Sequence, residues 1–120
     1  MGSILPREWF HGSPLRLTHL SPGSTITPRR QLACAFSHKP SLVSVADDGS
    51  IKHDGTQPGY LYRVMDVRAG DVCQHPLSSM PPGEEWLTTR KLPLQLIGPT
   101  QIQPEEILSP AEVAELRQRG

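Results

Sequence analysis

Three short segments carry the residue types from which a ligand-binding or catalytic site is built. They are His11-Gly12-Ser13, Ala35-Phe36-Ser37-His38 and Glu84-Glu85-Trp86. Each lies at the end of a predicted strand beside a loop, where a rigid frame can present functional groups. Neither cysteine has an obvious base partner and no Gly-x-Ser-x-Gly motif is present, so a nucleophilic triad is not expected.

The first segment combines an imidazole, a bare backbone and a hydroxyl after the apolar pair Trp9-Phe10. Gly12 has no side chain, so a ligand can approach its main chain closely. His11 and Ser13 place hydrogen-bonding groups on either side of that opening. Such a set can hold a nucleotide amide or ribose without a metal. The alternative is a plain strand and turn, with His11 serving only as a partner for buried backbone.

A zinc site is another possibility that the spacing raises. Cys34 and His38 are four residues apart and Cys73 and His75 are two apart, which together supply two cysteines and two histidines. The spacings match no standard zinc finger, and Cys34 lies in an apolar run where a free cysteine acts as a small hydrophobic residue. We therefore expect no metal in the site.

The composition limits the class of protein. The 120 residues predict a single domain, 1–120, with a modest core over about 4–98. The 12 Lys and Arg balance the 12 Asp and Glu, which argues against a general binder of nucleic acid or membrane surfaces. No apolar run approaches a membrane span and no signal peptide is visible. Two cysteines are too few for a disulfide framework, so we expect a reduced, cytoplasmic protein.

The elements that must position these residues are short. Thirteen prolines and ten glycines favour turns over long helices, which predicts an α+β chain. Strands are predicted from Trp9-Phe10 to Ser13 and over 32–37, 60–67, 85–88 and 92–98, with Ile4-Leu5 framing the first. A helix is predicted from Pro40 to about Ala46, flexible loops over 47–59 and 71–83, and exposed side chains at Arg29-Arg30. Ser109-Pro110-Ala111-Glu112 predicts a capping box opening a C-terminal helix over about 109–119.

Several motifs occur in a fixed order between Phe10 and Gly98. They are Phe10-His11-Gly12-Ser13, Leu20-Ser21-Pro22-Gly23, Ala35-Phe36-Ser37, Leu61-Tyr62-Arg63-Val64, Glu85-Trp86-Leu87-Thr88 and Pro93-Leu94-Gln95-Leu96-Ile97-Gly98. This order resembles the small NAD-dependent ADP-ribosyltransferases of the rifamycin-modifying family. In that family an aromatic-His-Gly-Ser/Thr motif opens the NAD site. The resemblance implies a split pair of small antiparallel β-sheets with short helices.

The resemblance also implies roles for individual residues. NAD would be the co-substrate, and ADP-ribose would pass to an acceptor with release of nicotinamide. His11 would hydrogen-bond the NAD ribose, Gly12 would hold the nicotinamide amide through its backbone, and Ser13 would assist. Phe36 lies where the family usually has a tyrosine that stacks on nicotinamide, and Ser37 would complete the NAD-binding set.

The catalytic acid has two candidates under the resemblance. The rifamycin-modifying members use an Asp in the loop before the last strands, for which Asp71 is the nearest candidate. The wider superfamily, which includes poly-ADP-ribose polymerases, uses a Glu at the start of a late strand, and Glu85 fits this pattern with Glu84 beside it. A carboxylate on a ribose hydroxyl would stabilise an oxocarbenium-like state. Without the resemblance, Glu84 and Glu85 read as two solvated charges after a turn.

Other functions are compatible with the same residues. The acceptor of ADP-ribose could be a small molecule, a protein or a nucleic acid, and the absence of basic clusters in the long loops disfavours the last. RNA 2'-phosphotransfer needs several arginines around a phosphate, and the arginines here are loosely spaced. A catalytically inactive module of the same fold, binding a nucleotide or a protein partner, is the main alternative. A small structural protein in which His11-Gly12-Ser13 is coincidental is another.

Overall fold

The computed structural model describes residues 8–78, 80 and 83–119. Within these ranges the chain forms nine short strands, two α-helices and two 3-10 turns. The strands are β1 (Phe10–Ser13), β2 (His19–Leu20), β3 (Thr25–Ile26), β4 (Val43–Val45), β5 (Ile51–His53), β6 (Gly59–Val64), β7 (Val72–Gln74), β8 (Trp86–Thr88) and β9 (Leu92–Thr100). The helices are α1 (Arg30–Ser37) and α2 (Pro110–Arg119), and the 3-10 turns are Ala69–Asp71 and Pro104–Glu106.

The strands pair into three antiparallel sheets. Their orders are β1-β6-β9-β2, β3-β8-β7 and the hairpin β4-β5. A single bridge joins the two larger sheets within the described residues: Phe10 N–H donates to the Thr27 carbonyl at 2.7 Å, and Thr27 N–H donates back at 3.0 Å. The predicted α+β class with mostly antiparallel sheets and short helices is therefore confirmed.

Two apolar clusters hold these sheets together. The larger is supplied by both sheets and consists of Trp9, Leu20, Ile26, Val64, Val72 and Leu92. Trp9 meets Trp86 edge to face, with ring centroids 5.2 Å apart. The smaller cluster joins Phe10 and Leu61 to Ala33 of α1. The end of β1 is thus fixed between a sheet and a helix, which is the requirement for presenting a site there.

Gly12 is needed for the contact between β1 and α1. A Cβ at this position would lie 1.7 Å from the Ala33 carbonyl oxygen and 2.7 Å from the Ser37 nitrogen. The space left by the missing side chain is therefore filled by the helix backbone. Only the edge of Gly12, not its α1 face, remains for the ligand approach that the sequence suggested.

The predicted strand over 32–37 is wrong, because this segment belongs to α1. Residues 32–36 are all apolar, so the sequence shows no period that separates a buried strand from a buried helix. Leu32, Ala33, Ala35 and Ser37 are all buried. Alanines are strong helix formers, and the glycine in β1 admits a helix at close range.

The predicted helix from Pro40 to Ala46 is also wrong. Val43 and Val45 lie in β4, which forms a hairpin with β5. These β-branched residues alternate, which suits a strand. Gly49 closes the turn at φ 88°, and Asp48-Gly49 is a familiar hairpin turn pair that sequence reading assigned to a flexible loop. The loops predicted over 47–59 and 71–83 therefore contain β5 and β7.

The strong strand signals are confirmed. The segments over 60–67, 85–88 and 92–98 correspond to β6, β8 and β9, and the strand ending at Ser13 is β1. Ser109 Oγ accepts from Glu112 N–H at 3.1 Å, and Glu112 Oε1 accepts from Ser109 N–H at 3.0 Å, which is the expected capping box. Ile4-Leu5 lie outside the described residues. None of the helices in the described part of the chain has the length and apolar content needed to cross a bilayer.

Candidate functional site

A cavity of about 290 Å³ lies where β1, β3, β8 and the end of α1 meet. Its lining consists of His11, Gly12, Thr25, Phe36, Lys39, Pro40 and Glu85. Four of these seven residues were singled out from the sequence, and they come from all three segments. The structure therefore brings the first, second and third segments to one place.

The strand pairing explains why Glu85 reaches the end of β1. In the β3-β8 register Thr25 lies opposite Leu87 and Ile26 lies opposite Trp86. One step further along this register places Glu85 opposite Thr27, the residue that bridges to β1. The bridge between the two sheets thus brings Glu85 beside the His-Gly motif, and Glu85 also lines a neighbouring cavity together with Ser78 and His75.

His11 has a defined tautomer. Its Nδ1 lies 2.7 Å from the Thr25 carbonyl oxygen, which can only accept, so Nδ1 carries the proton. Burial lowers the pKa of His11, and the hydrogen bond to Thr25 only partly opposes this shift. The imidazole is therefore neutral at pH 7. Its Nε2 has a lone pair for which the described residues supply no hydrogen-bond donor.

The backbone of Gly12 presents an amide edge to the cavity. Phe10 exchanges both of its backbone hydrogen bonds with Thr27. In an extended strand, residues two positions apart point their N–H and C=O groups to the same edge, so those of Gly12 point to the β3 side, as those of Phe10 do. No backbone hydrogen bond joins Gly12 to β3 among the described residues, so a donor and an acceptor are offered side by side.

The two adjacent glutamates have different surroundings. Glu84 accepts a hydrogen bond from Arg29 Nη1 at 2.8 Å, so this pair is an ion pair and Arg29 is only partly exposed, contrary to expectation. Glu85 lines the cavity, and its side chain is 14% exposed. Ser78 Oγ donates to Glu85 Oε1 at 2.6 Å. His75 Nε2 lies 3.9 Å from the other oxygen, which is too far for a hydrogen bond, so Ser78 is the residue that holds the carboxylate.

Phe36 and Lys39 give the cavity an apolar wall and a charged rim. Phe36 occupies the last turn of α1, and Lys39 follows at a left-handed φ of 54°, which ends the helix. Lys39 N–H donates to the Phe36 carbonyl at 3.1 Å, which fixes this turn. The Lys39 side chain is exposed and makes no ion pair within the described part of the chain. An aromatic ring and an ammonium group thus border one opening.

Two predicted site residues, Ser13 and Ser37, do not line the cavity. Ser13 is buried, and its Oγ accepts from Leu15 N–H at 3.1 Å, which shapes the turn after β1. Ser37 is fully buried, and its Oγ lies 2.6 Å from Thr100 Oγ1 of β9. Both hydroxyls are engaged in holding elements together.

Asp71 is likewise placed outside the cavity lining, in an ion pair. Its carboxylate accepts from Arg90 Nε at 2.7 Å and from Arg68 N–H at 2.8 Å. The hydrogen bond from Arg90 is the largest cause of a lowered pKa of Asp71. The carboxylate therefore ties the turn before β7 to the turn before β9.

We expect Asp71→Asn to lower the Tm at pH 7, because the variant loses the charge-assisted hydrogen bond from Arg90. A carboxyl with a lowered folded-state pKa stabilises the protein above the unfolded value near 3.8 and loses that effect as the pH falls. The variant should thus lose less stability than the wild type below about pH 4. Thermal melts from pH 3 to 7 measure both effects. Equal acid sensitivity in the two proteins would contradict this role.

Sequence reasoning missed Thr25, Lys39 and Pro40. Thr25 contributes through its carbonyl oxygen, which any residue would supply, so no sequence signal marks it. Lys39 was not singled out and Pro40 was predicted to start a helix, and only the observed end of α1 shows that they line the cavity. No protein-family model, curated protein or solved structure matches this chain.

Proposed function

We propose that this protein transfers ADP-ribose from NAD to an acceptor, with release of nicotinamide, and that the cavity holds the nicotinamide–ribose end of NAD. The observation that carries the proposal is the convergence of His11, Gly12, Phe36 and Glu85 on one cavity. Two antiparallel sheets bridged at the start of β1 are in keeping with the pair of small sheets that the resemblance implies, which supports the proposal.

The cavity offers complementary groups to nicotinamide. A primary carboxamide has a donor and an acceptor side by side, and the free edge of Gly12 has the matching pair. The Phe36 ring gives the pyridine a face for stacking. Phenylalanine lacks the hydroxyl of the tyrosine usual in the family, so we assign it stacking alone.

The ribose and the diphosphate of NAD would contact residues at the opening of the cavity. His11 Nε2 accepts a hydrogen bond from a ribose hydroxyl, because Nδ1 already carries the ring proton. At about 290 Å³ the cavity is at the small end of ligand sites, which run from about 300 to 1,000 Å³. The rest of NAD therefore lies outside it, where Lys39 supplies a positive charge for the diphosphate.

The chemistry needs one well-placed carboxylate. The bond between ribose C1′ and the nicotinamide nitrogen breaks with its electron pair passing to nicotinamide, and C1′ becomes oxocarbenium-like. The Glu85 carboxylate accepts a hydrogen bond from a ribose hydroxyl and stabilises this positive charge. The acceptor then donates a lone pair to C1′ and loses its proton. The hydrogen bond from Ser78 fixes the orientation of the carboxylate.

The direct test is nicotinamide release from NAD by the purified protein, with water or an added nucleophile as acceptor. Release by the wild type that falls sharply in the Glu85→Gln variant supports the proposal. Saturating NAD at about a hundred times Kd should also stabilise the protein by about 2.7 kcal/mol. Stabilisation without release indicates an inactive nucleotide-binding module. If the protein releases no nicotinamide and NAD does not stabilise it, the proposal is overturned.

His11→Ala should weaken NAD binding about tenfold, because one hydrogen bond to a ribose hydroxyl is lost. We expect the fold to remain intact. In the wild type we expect NAD affinity to be constant above pH 6.5 and to fall at lower pH, as protonation removes the Nε2 lone pair. Isothermal titration from pH 5 to 8 measures both effects. His19→Ala is the matched control, since His19 lies at the exposed end of β2. Unchanged affinity in His11→Ala removes His11 from the site.

A further inference from the structure

A second group of polar side chains lies outside this cavity, where α1, β5 and the 3-10 turn Pro104–Glu106 meet. His38 caps α1, His53 ends β5 and Glu106 ends the turn. One ligand atom from each lies within 4.8 Å of the other two. Both imidazoles are fully buried, and their centroids are 5.3 Å apart.

The two imidazoles have unused nitrogens in the interior. Neither His38 Nε2 nor His53 Nε2 has a hydrogen-bond partner, although both atoms are buried. Buried polar atoms are nearly always paired, so two together require an explanation. Glu106 Oε2 lies 3.4 Å from His53 Nε2 without forming a hydrogen bond. Two ring nitrogens and a carboxylate oxygen thus converge from three separate elements.

We propose that His38, His53 and Glu106 bind one divalent transition-metal ion of the zinc type. Imidazoles with a carboxylate are a ligand set these ions prefer. His38 Nδ1–H donates to the Gln57 carbonyl at 2.7 Å, which leaves Nε2 as the metal-binding lone pair. A backbone carbonyl on the second ring nitrogen is the usual support of a metal-bound histidine.

This set differs from the one the sequence raised. Of Cys34, His38, Cys73 and His75, only His38 belongs to it, and Cys73 is exposed on β7. His53 and Glu106 were missed because their distance along the chain gives no metal-binding spacing. The structure brings them together through β5 and the C-terminal segment.

His53 gives the site a built-in reporter. Its Nδ1 accepts a hydrogen bond from Gly55 N–H at 3.0 Å, so in the metal-free protein the ring proton lies on Nε2. An ion at Nε2 requires the other neutral tautomer, with the ring proton on Nδ1, so the Gly55 N–H can no longer donate to Nδ1. The surroundings of the Gly55 amide therefore change when the ion binds.

Glu106 indicates how the ion would enter the site and which segments its binding would connect. Its side chain is 21% exposed and lines a surface cavity of about 330 Å³, so an ion can enter on this side. His53 also accepts a backbone hydrogen bond from Leu108 N–H at 3.0 Å. The ion would therefore fasten the C-terminal segment to β5 and α1, which is a stabilising role separate from NAD turnover.

The test uses the full chain, purified without a metal-affinity tag, stripped with a chelator and titrated with Zn²⁺ or Co²⁺. We expect one equivalent bound and a rise in Tm of about 5–10 °C at a hundredfold excess over Kd. In the NMR spectrum the Gly55 amide signal should shift on addition of Zn²⁺. Mg²⁺ should have no effect, because it prefers oxygen ligands.

Variants decide between a built site and incidental binding. Glu106→Gln and His53→Gln should each lose at least tenfold in Zn²⁺ affinity, while Glu105→Gln and His19→Gln, at exposed positions, should keep it. Glu106 is partly exposed, so its variant remains informative even if His53→Gln fails to fold. Absence of stoichiometric Zn²⁺, or Zn²⁺ stabilisation that survives Glu106→Gln, overturns the proposal. An unmoved Gly55 amide would do the same.

Discussion

Glu85→Gln is expected to reduce nicotinamide release about 10²–10³-fold while changing the Kd for NAD by less than about threefold. The amide keeps the size of the carboxylate and its acceptor oxygen for Ser78, so the fold and the ground-state contacts persist. The negative charge is lost, and it matters mainly when C1′ becomes positive. Single-turnover kinetics with NAD titration separates the chemical step from binding.

Two other acids provide the controls for this experiment. Glu84→Gln removes the ion pair with Arg29, which is partly exposed, and should leave release within about twofold of the wild type. Asp71→Asn removes the pair with Arg90 and should lower Tm without abolishing release. A dead Asp71→Asn protein with an active Glu85→Gln protein would instead follow the rifamycin-modifying pattern. That result would place the catalytic acid in the turn before β7.

Four residues that the sequence singled out line one cavity, although several of the elements that carry them were predicted wrongly. The His-Gly motif was located because its residue types are chemically unusual at the end of a strand. Glu85 was preferred to Glu84 on the family pattern, and the fold adds a physical difference, since Glu85 lines the cavity and Arg29 pairs with Glu84. Pairing between segments far apart in the chain cannot be predicted from the residues that neighbour each glutamate.

The failures have a common physical cause. Residues 32–36 are apolar at every position, so the sequence showed no helical period and the segment of α1 was predicted as a strand. The order β1-β6-β9-β2 pairs strands far apart in the chain, and β1 and β6 meet across more than forty residues. The same distance separates Glu106 from His53, so the buried histidine cluster could be found only in three dimensions.

Gly12→Ala is the second change with a large expected effect, and it acts on the fold. The new methyl group would lie 1.7 Å from the Ala33 carbonyl, which is backbone and cannot rotate aside. Either α1 moves off β1 or β1 leaves its pairing with β6, and both open the Phe10–Ala33–Leu61 cluster. We expect a loss of about 3 kcal/mol or more, a large part of the stability of a domain this size.

Gly70→Ala is the matched control, because a Cβ there meets nothing within 4 Å. It should change the free energy of unfolding by less than about 0.5 kcal/mol. Urea denaturation of the two variants beside the wild type measures the difference. A Gly12→Ala protein as stable as the wild type would show that α1 does not rest on this glycine. Because the proposed ligand meets the edge of Gly12 and not its α1 face, such a stable variant should also keep its affinity for NAD.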